Sequence, residues 1–303
     1  MSIIVSIGNN KNFFAIFGLL FGATVWGVIW FPYRLLEQAG VSGIVASFYT
    51  YLIPMLIGCF VFGRQWRALF RQPTSIIWLV LVAGWTNLSY VLAVIDGEVM
   101  RVILLFYLSP VWTLLLAHFW LKERAGLKDI LVIITSLLGA FIMLYDETKN
   151  FPLPSSPSDW LAVSAGMGFA LTNVITRKSV HLSLTAKSFA VWLGVTLISL
   201  LGMLFFGQVS TLSNAISVHD WLIMLAVGLM LFVSTLLVQY GVTHVAAARA
   251  AVIFLFELVV AAIAAYLIAG ESMAWNEWMG GVLIISSAIF ASMITDEPHV
   301  VNY

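Results

Sequence analysis

Charge is scarce in this chain. Of its 303 residues only 9% are Asp, Glu, Lys or Arg, where a soluble domain carries roughly 25%. So few charges cannot cover a water-facing surface, which excludes an ordinary soluble globule. The net charge is zero, so the chain offers nucleic acid no bulk electrostatic attraction. One cysteine, Cys59, excludes an intrachain disulfide and says little about redox compartment. There is no HExxH, GxSxG, CxxC or phosphate-loop pattern, so the usual signatures of catalysis, metal binding and nucleotide use are missing. No catalytic or metal-ligating residue is singled out, and no cofactor is expected.

What the chain has is apolar surface: 62% hydrophobic residues and a mean hydropathy of +1.03. Lipid is therefore its expected solvent and partner. Runs of about 20 apolar residues span a bilayer as helices. Ten are expected, over 13–35, 43–63, 75–95, 99–120, 127–145, 159–178, 188–207, 219–241, 247–269 and 275–294. The first is as long as a bilayer is thick and lacks a clean small-residue cleavage site, so it reads as an uncleaved span. The longest polar break, DETKNFPLPSSPSD at 146–159, is a proline-rich linker between two halves, 1–150 and 151–303. With the N-terminus in the cytoplasm, Lys11, Arg64, Arg67, Arg71, Lys122, Arg124, Lys128, Arg177, Lys178, Lys187 and Arg249 fall inside and only Arg34, Arg101 and Lys149 outside. That bias predicts a multi-pass inner-membrane protein with both termini cytoplasmic.

Displacing the chain by 148 residues superposes the halves without a gap. Arg101 falls on Arg249, Phe106 on Phe254, Val111 on Val259, Ala117 on Ala265, Glu123 on Glu271 and Asp129 on Glu277. A weaker match brings Trp26-Gly27 onto Thr172-Asn173. Five spans per half make the second repeat cross the opposite way. The expected fold is all-α, ten transmembrane helices in two inverted five-helix repeats, an arrangement that builds many transporters with the substrate site at the midplane.

These features resemble the drug/metabolite transporter superfamily, EamA type. The resemblance rests on Trp26-Gly27, on LLFYLSPVWTLLLAHFWLKE with Pro110 and Glu123, on NVITRKS at 173–179, and on FLFELVVAAIAAYLIAGE ending in Gly270-Glu271. Two departures stand out: Leu258 replaces a usual proline, and SFYTYL (47–52) occupies a stretch where many members carry arginine. The resemblance implies a ten-helix carrier exporting metabolites, often amino acids and in some relatives aromatic ones. Nucleotide sugars and drug-like solutes are the alternative cargoes. From another class, a polytopic membrane enzyme would need clustered titratable groups at one depth, and this chain has one deep carboxylate.

That carboxylate is Glu257, about 12 Å along a helix from Arg249 at 1.5 Å per residue. An acid at a helix centre costs roughly 2.5–3.5 kcal/mol on insertion scales. Contact with a substrate ammonium or carriage of a coupling proton is expected, the structural alternative being a protonated carboxyl that hydrogen-bonds to a neighbouring helix. The repeat sets it opposite Ser109, so the charge is not shared scaffold. Gly18, Gly22, Trp26 and Trp30 recur every four residues on one face of the first span. The glycine pair admits a close neighbour, and Trp26 reads as a cavity wall. Asn87 and Tyr90, Tyr107, Asn173 on the face of Phe169 and Thr176, and Ser234 complete the candidate substrate-binding set. The twelve tryptophans say little about cargo, since Trp66, Trp78, Trp160 and Trp221 sit near span ends, where membrane proteins hold Trp anyway. His118, Arg101, Arg249, Glu123 and Glu271 are expected in helix-end interactions. The assembly is expected to be a monomer or weak dimer.

Overall fold

In lipid an irregular backbone leaves polar groups unpaired, so an apolar run closes its hydrogen bonds within itself as a helix. The computed structural model describes residues 2–63, 73–97, 99–123, 125–145, 154–208, 216–268, 270 and 272–294, and it is helical throughout, with no strand among those residues. The helices are α1 (Ser2–Gln38), α2 (Gly43–Phe62), α3 (Pro73–Asp96), α4 (Val99–Phe106), α5 (Ser109–Leu116), α6 (Leu127–Leu144), α7 (Pro157–Lys178), α8 (Leu184–Phe205), α9 (Val218–His244), α10 (Ala247–Phe254), α11 (Phe256–Ile268) and α12 (Trp275–Met293); a π-helical turn, Ala117–Leu121, extends α5. All ten apolar runs are helical.

Ten crossings are expected from the sequence. With α4 to the π turn counted as one helix and α10–α11 as another, eight among the described residues are long and apolar enough to cross a membrane. The other two are α7 and α12. Helix α7 holds Asp159, Asn173, Arg177 and Lys178, and α12 opens on Asn276 and Glu277.

The helix starts follow from short polar side chains. Ser42, Ser156, Ser183 and Ser217 each accept a hydrogen bond from the backbone N–H three residues on, supplying a partner that the first helical turn lacks. Asp129 accepts from the Gly126 N–H at 2.9 Å and Glu277 from the Ala274 N–H at 2.6 Å. These two acids coincide under the 148-residue displacement, and they close their helices in the same way.

Packing has the same correspondence. Helix α1 lies on α9 and on α10–α11; α7 lies on α3 and on α4–α5. Helix α2 packs on α9 and α8 packs on α3, while α2 with α8 and α6 with α12 are self-matched pairs. The close approach of α1 to α9 needs glycine: a β-carbon on Gly18 would lie 2.4 Å from the Leu237 carbonyl oxygen. The surface is inverted relative to a soluble protein. Phe60 and Phe205 are 93% and 85% exposed, whereas Thr50, Asn173, Ser234 and Gln239 are buried.

Candidate functional site

Two helices are interrupted near the middle of the bundle. Between α4 and α5 the break falls at Tyr107–Leu108. Pro110 explains it, since it donates no hydrogen bond and its ring displaces the carbonyl four residues back. That carbonyl, on Phe106, is packed against Gly166 of α7, where no β-carbon would fit. Between α10 and α11 the break falls at Leu255, the residue that the repeat matches to Tyr107. Here Leu255 N–H bonds to Val252 O at 3.1 Å and Leu258 N–H to Leu255 O at 3.0 Å, three residues back rather than four. The second half thus interrupts its helix at the corresponding place without proline, with Leu258 standing where the first half has Pro110.

The breaks gather aromatic rings. Phe106 meets Tyr90, Tyr107 and Phe169 at centroid distances of 5.1, 5.4 and 5.7 Å, and Phe169 meets Phe254 at 5.2 Å. Phe106 and Phe254 are repeat counterparts that share Phe169. Trp26 packs into the cluster holding Phe254 and Phe169, and also into the one holding Tyr51 and Trp192.

Glu257 lies in the first turn of α11, where the exposed N–H groups of a helix favour negative charge. Its carboxyl lies within electrostatic reach of the Tyr107 and Tyr90 hydroxyls. Helix α1 approaches so closely that a β-carbon on Gly27 would sit 2.7 Å from the Glu257 carbonyl oxygen. Glu257 and Tyr90 are surrounded by protein yet keep accessible surface, and Trp26, Asn87, Phe106 and Phe169 are likewise partly accessible.

Of the expected residues, Trp26, Tyr90, Tyr107 and Glu257 therefore converge. Asn87 stands one turn from Tyr90, and its side-chain oxygen is buried without a protein partner. Asn173, one turn from Phe169, is buried with its amide nitrogen in the same condition. Ser234 is fully buried, and its hydroxyl and that of Thr235 also lack a partner. By contrast Thr172, on the face of Asn173, spends its hydroxyl on the Gly168 carbonyl at 2.9 Å. Trp30 stands apart, with the Arg34 guanidinium 5.6 Å over its ring. Sequence reasoning missed Phe106 and Phe254 as site residues. It also missed a polar patch beside Trp26, where the Tyr33 hydroxyl shares a 2.7 Å hydrogen bond with Thr50 and Tyr51 is close by. That patch includes the SFYTYL stretch.

The ion-paired side chains lie near helix ends. Arg177 binds Glu123 at 3.0 Å and the Thr243 carbonyl at 2.5 Å, and Glu123 also accepts from the Ala247 N–H at the start of α10. Lys187, fully buried, donates to the Thr243 hydroxyl at 3.0 Å. Arg249 pairs with Asp129 at 3.4 Å and donates to the Ile294 carbonyl. At the opposite end of α4, Arg101 binds Asp159 at 2.9 Å and Ser155 at 2.9 Å. His118 is exposed, edge-on to Phe119, and Glu271 lies outside the described residues. No group of three His, Cys, Asp or Glu able to hold a metal occurs among the described residues.

Two copies of one family model, described as the EamA-like transporter family, match residues 13–145 and 156–293. The chain belongs to the EamA-like transporter family. It is a multi-pass membrane transporter of the drug/metabolite type, and not an enzyme. Among curated relatives, an uncharacterized transporter of Archaeoglobus fulgidus is 25% identical over 73% of this chain and 77% of its own length. An S-adenosylmethionine uptake transporter of Rickettsia prowazekii is 27% identical over 70% of this chain and 68% of its own, and one of Rickettsia felis is 27% identical over the same shares. A solved crystal structure superposes with a TM-score of 0.71 at 14% identity, covering 93% of this chain and 97% of the other. That likeness speaks to the fold alone.

Proposed function

We propose that this EamA-family chain is a secondary transporter that exports small metabolites of the amino-acid class, aromatic ones included, by alternating access across the inner membrane. The carrying observation is the convergence of Glu257, Tyr90, Tyr107 and Trp26, each only partly exposed or buried, where two helices break at repeat-related positions. Broken helices at the meeting of two repeats are where carriers place their substrates. We read the chain as ten crossings in two inverted five-helix repeats, 1–150 and 151–303. The matched packing partners, the like-capped α6 and α12, and the two family-model matches support this. Both termini are read as cytoplasmic, and the carrier as a monomer or weak dimer. A proton or an exchanged solute supplies the energy, with Glu257 the coupling candidate. Asn87, Asn173 and Ser234 contribute polar groups to the same site.

The relatives named for S-adenosylmethionine uptake favour a second reading, in which the cargo combines an amino-acid head with a larger aromatic body and moves inward. Flux in proteoliposomes of known orientation separates the two. Phenylalanine efflux that falls severalfold or more in Trp26→Ala and in Asn173→Ala, with both variants folded, supports the first. Wild-type flux in both variants means that the site is misplaced, and S-adenosylmethionine accumulation without phenylalanine efflux selects the second.

A further inference from the structure

We infer, resting on the alternating-access reading and its orientation, that cargo passes between the aromatic cluster and the cytoplasm along facing polar stripes of α7 and α9, and that Arg177 is the latch that shuts this route.

The repeat shows which end is shut. Half-helices α10 and α4 are counterparts, at the inner and outer ends, and equal closure of both ends would give them equal surroundings. Every residue of α10 is buried, and it packs on α1, α5, α6, α7, α9 and α12. In α4 only Val102 and Leu105 are buried among the described side chains, and it packs chiefly on α3, α6 and α7, the counterparts of α9, α12 and α1. The seal of α10 on α5, α6 and α7 has no equal around α4 among the described residues. The inner end is closed and the outer end is looser.

Arg177 ties the closed end together. It stands at the end of α7 and binds Glu123, just past the π turn, at 3.0 Å and the Thr243 carbonyl of α9 at 2.5 Å. The second Glu123 oxygen accepts from the Ala247 N–H that opens α10, at 3.2 Å. One guanidinium and one carboxylate thus join the first half to three helices of the second.

Immediately inside the latch the stripes are polar. Asn173 lies one turn from Arg177, Gln239 one turn from Thr243, and Thr235 a further turn along α9, so the Arg177–Thr243 bond sets the two amides level. Lys187 of α8 reaches the Thr243 hydroxyl, and Ser188 follows it. Asn173, Thr176, Ser188, Thr235 and Gln239 are each no more than 5% exposed, and each has a side-chain polar atom without a protein partner. Buried polar groups are normally paired, and leaving them unpaired is costly. Their use comes when the inner end opens, where they line a wetted passage and hydrogen-bond water and cargo. Phe169, one turn from Asn173, joins this stripe to the aromatic cluster. The same unpaired groups burden the closed state, and the charged latch offsets that burden.

Cysteine reactivity on the purified full chain in detergent tests this, in a Cys59→Ala background with 2-aminoethyl methanethiosulfonate as the probe. Gln239→Cys reports on the inner stripe, and Ile103→Cys, one turn from Tyr107 on α4, reports on the outer end. Arg177→Ala is expected to speed modification at position 239 by about tenfold or more, the shift that loss of a hydrogen bond between charged groups produces, and to slow it at position 103. Glu123→Gln, which keeps the side-chain length, should act in the same direction and carries the test if Arg177→Ala fails to fold. Arg177→Lys, which keeps the charge, should stay closer to the parent rates. An unchanged rate at position 239 in the folded variants overturns the latch. Faster modification at both positions overturns it too, because that is loosening of the fold and not exchange of one opening for the other. Labelling needs no cargo, so opposed rates without phenylalanine flux would remove the cargo assignment and leave the latch standing.

Discussion

Replacing Glu257 by glutamine keeps the length of the side chain and much of its hydrogen bonding but removes its ability to carry charge or exchange a proton. Glu257→Gln is expected to fold, reach the membrane and lose transport or its pH dependence; wild-type rate and an unchanged pH profile in a flux assay would leave the carboxyl with a structural role only. Its neighbour Gly27 sets a steric limit. A valine there would put its β-carbon 2.7 Å from the Glu257 carbonyl oxygen and 2.8 Å from the Val260 β-carbon. Overpacking of this kind costs about 1–3 kcal/mol, so Gly27→Val should lower the melting temperature in detergent and weaken binding together. Glu257 is legible in the sequence because a carboxylate is conspicuous in an apolar run. Phe106 and Phe254 are not, since a phenylalanine in a membrane helix looks the same whether it faces lipid or the interior. The unpartnered Asn173 and the self-satisfied Thr172 sit side by side on one helix, and only geometry separates them.

At the level of elements, the ends of the helices other than α1, which begins at Ser2 where the apolar run begins at 13, are close to those that apolarity alone predicts, because the bilayer sets their length and serines and acids set their starts. The interruption before Pro110 follows from proline chemistry. The interruption at Leu255 has no sequence signal of its own and is reached only through the repeat. Because Leu258 already lies in the first turn of α11, proline should be tolerated there. Leu258→Pro is expected to cost about 1 kcal/mol, the one hydrogen bond to Leu255. Val195→Pro, in the interior of α8, should cost about 3 kcal/mol or more. Comparing the two variants by thermal denaturation checks this; equal losses would mean that the α10–α11 junction behaves as continuous helix.

For the molecule as a whole, orientation is the open quantity that the distribution of Lys and Arg addresses. Ser213 and Gln72 lie outside the described residues, and the ten-crossing reading sets them on opposite sides of the membrane, so cysteines are introduced there in a Cys59→Ala background. An impermeant thiol reagent on intact cells should label the first and spare the second, and the reverse pattern would invert the protein and undo the charge argument. The inside-out surface, with Phe60 and Phe205 outward and Asn173 and Ser234 inward, fits lipid as solvent in either orientation. The two halves nevertheless differ in permanence. Pro110 interrupts the first half by covalent structure: its nitrogen has no hydrogen to donate in any environment. At Leu255 every residue keeps its N–H, so that helix is held apart by packing: Leu255 is buried beside Tyr107 and Ile284, and α1 presses on α11 around Gly27 and Val260. Heat, detergent or a ligand that loosens this packing can therefore change the second half where the first has no freedom to follow, and the half that can change is the one that carries the charge.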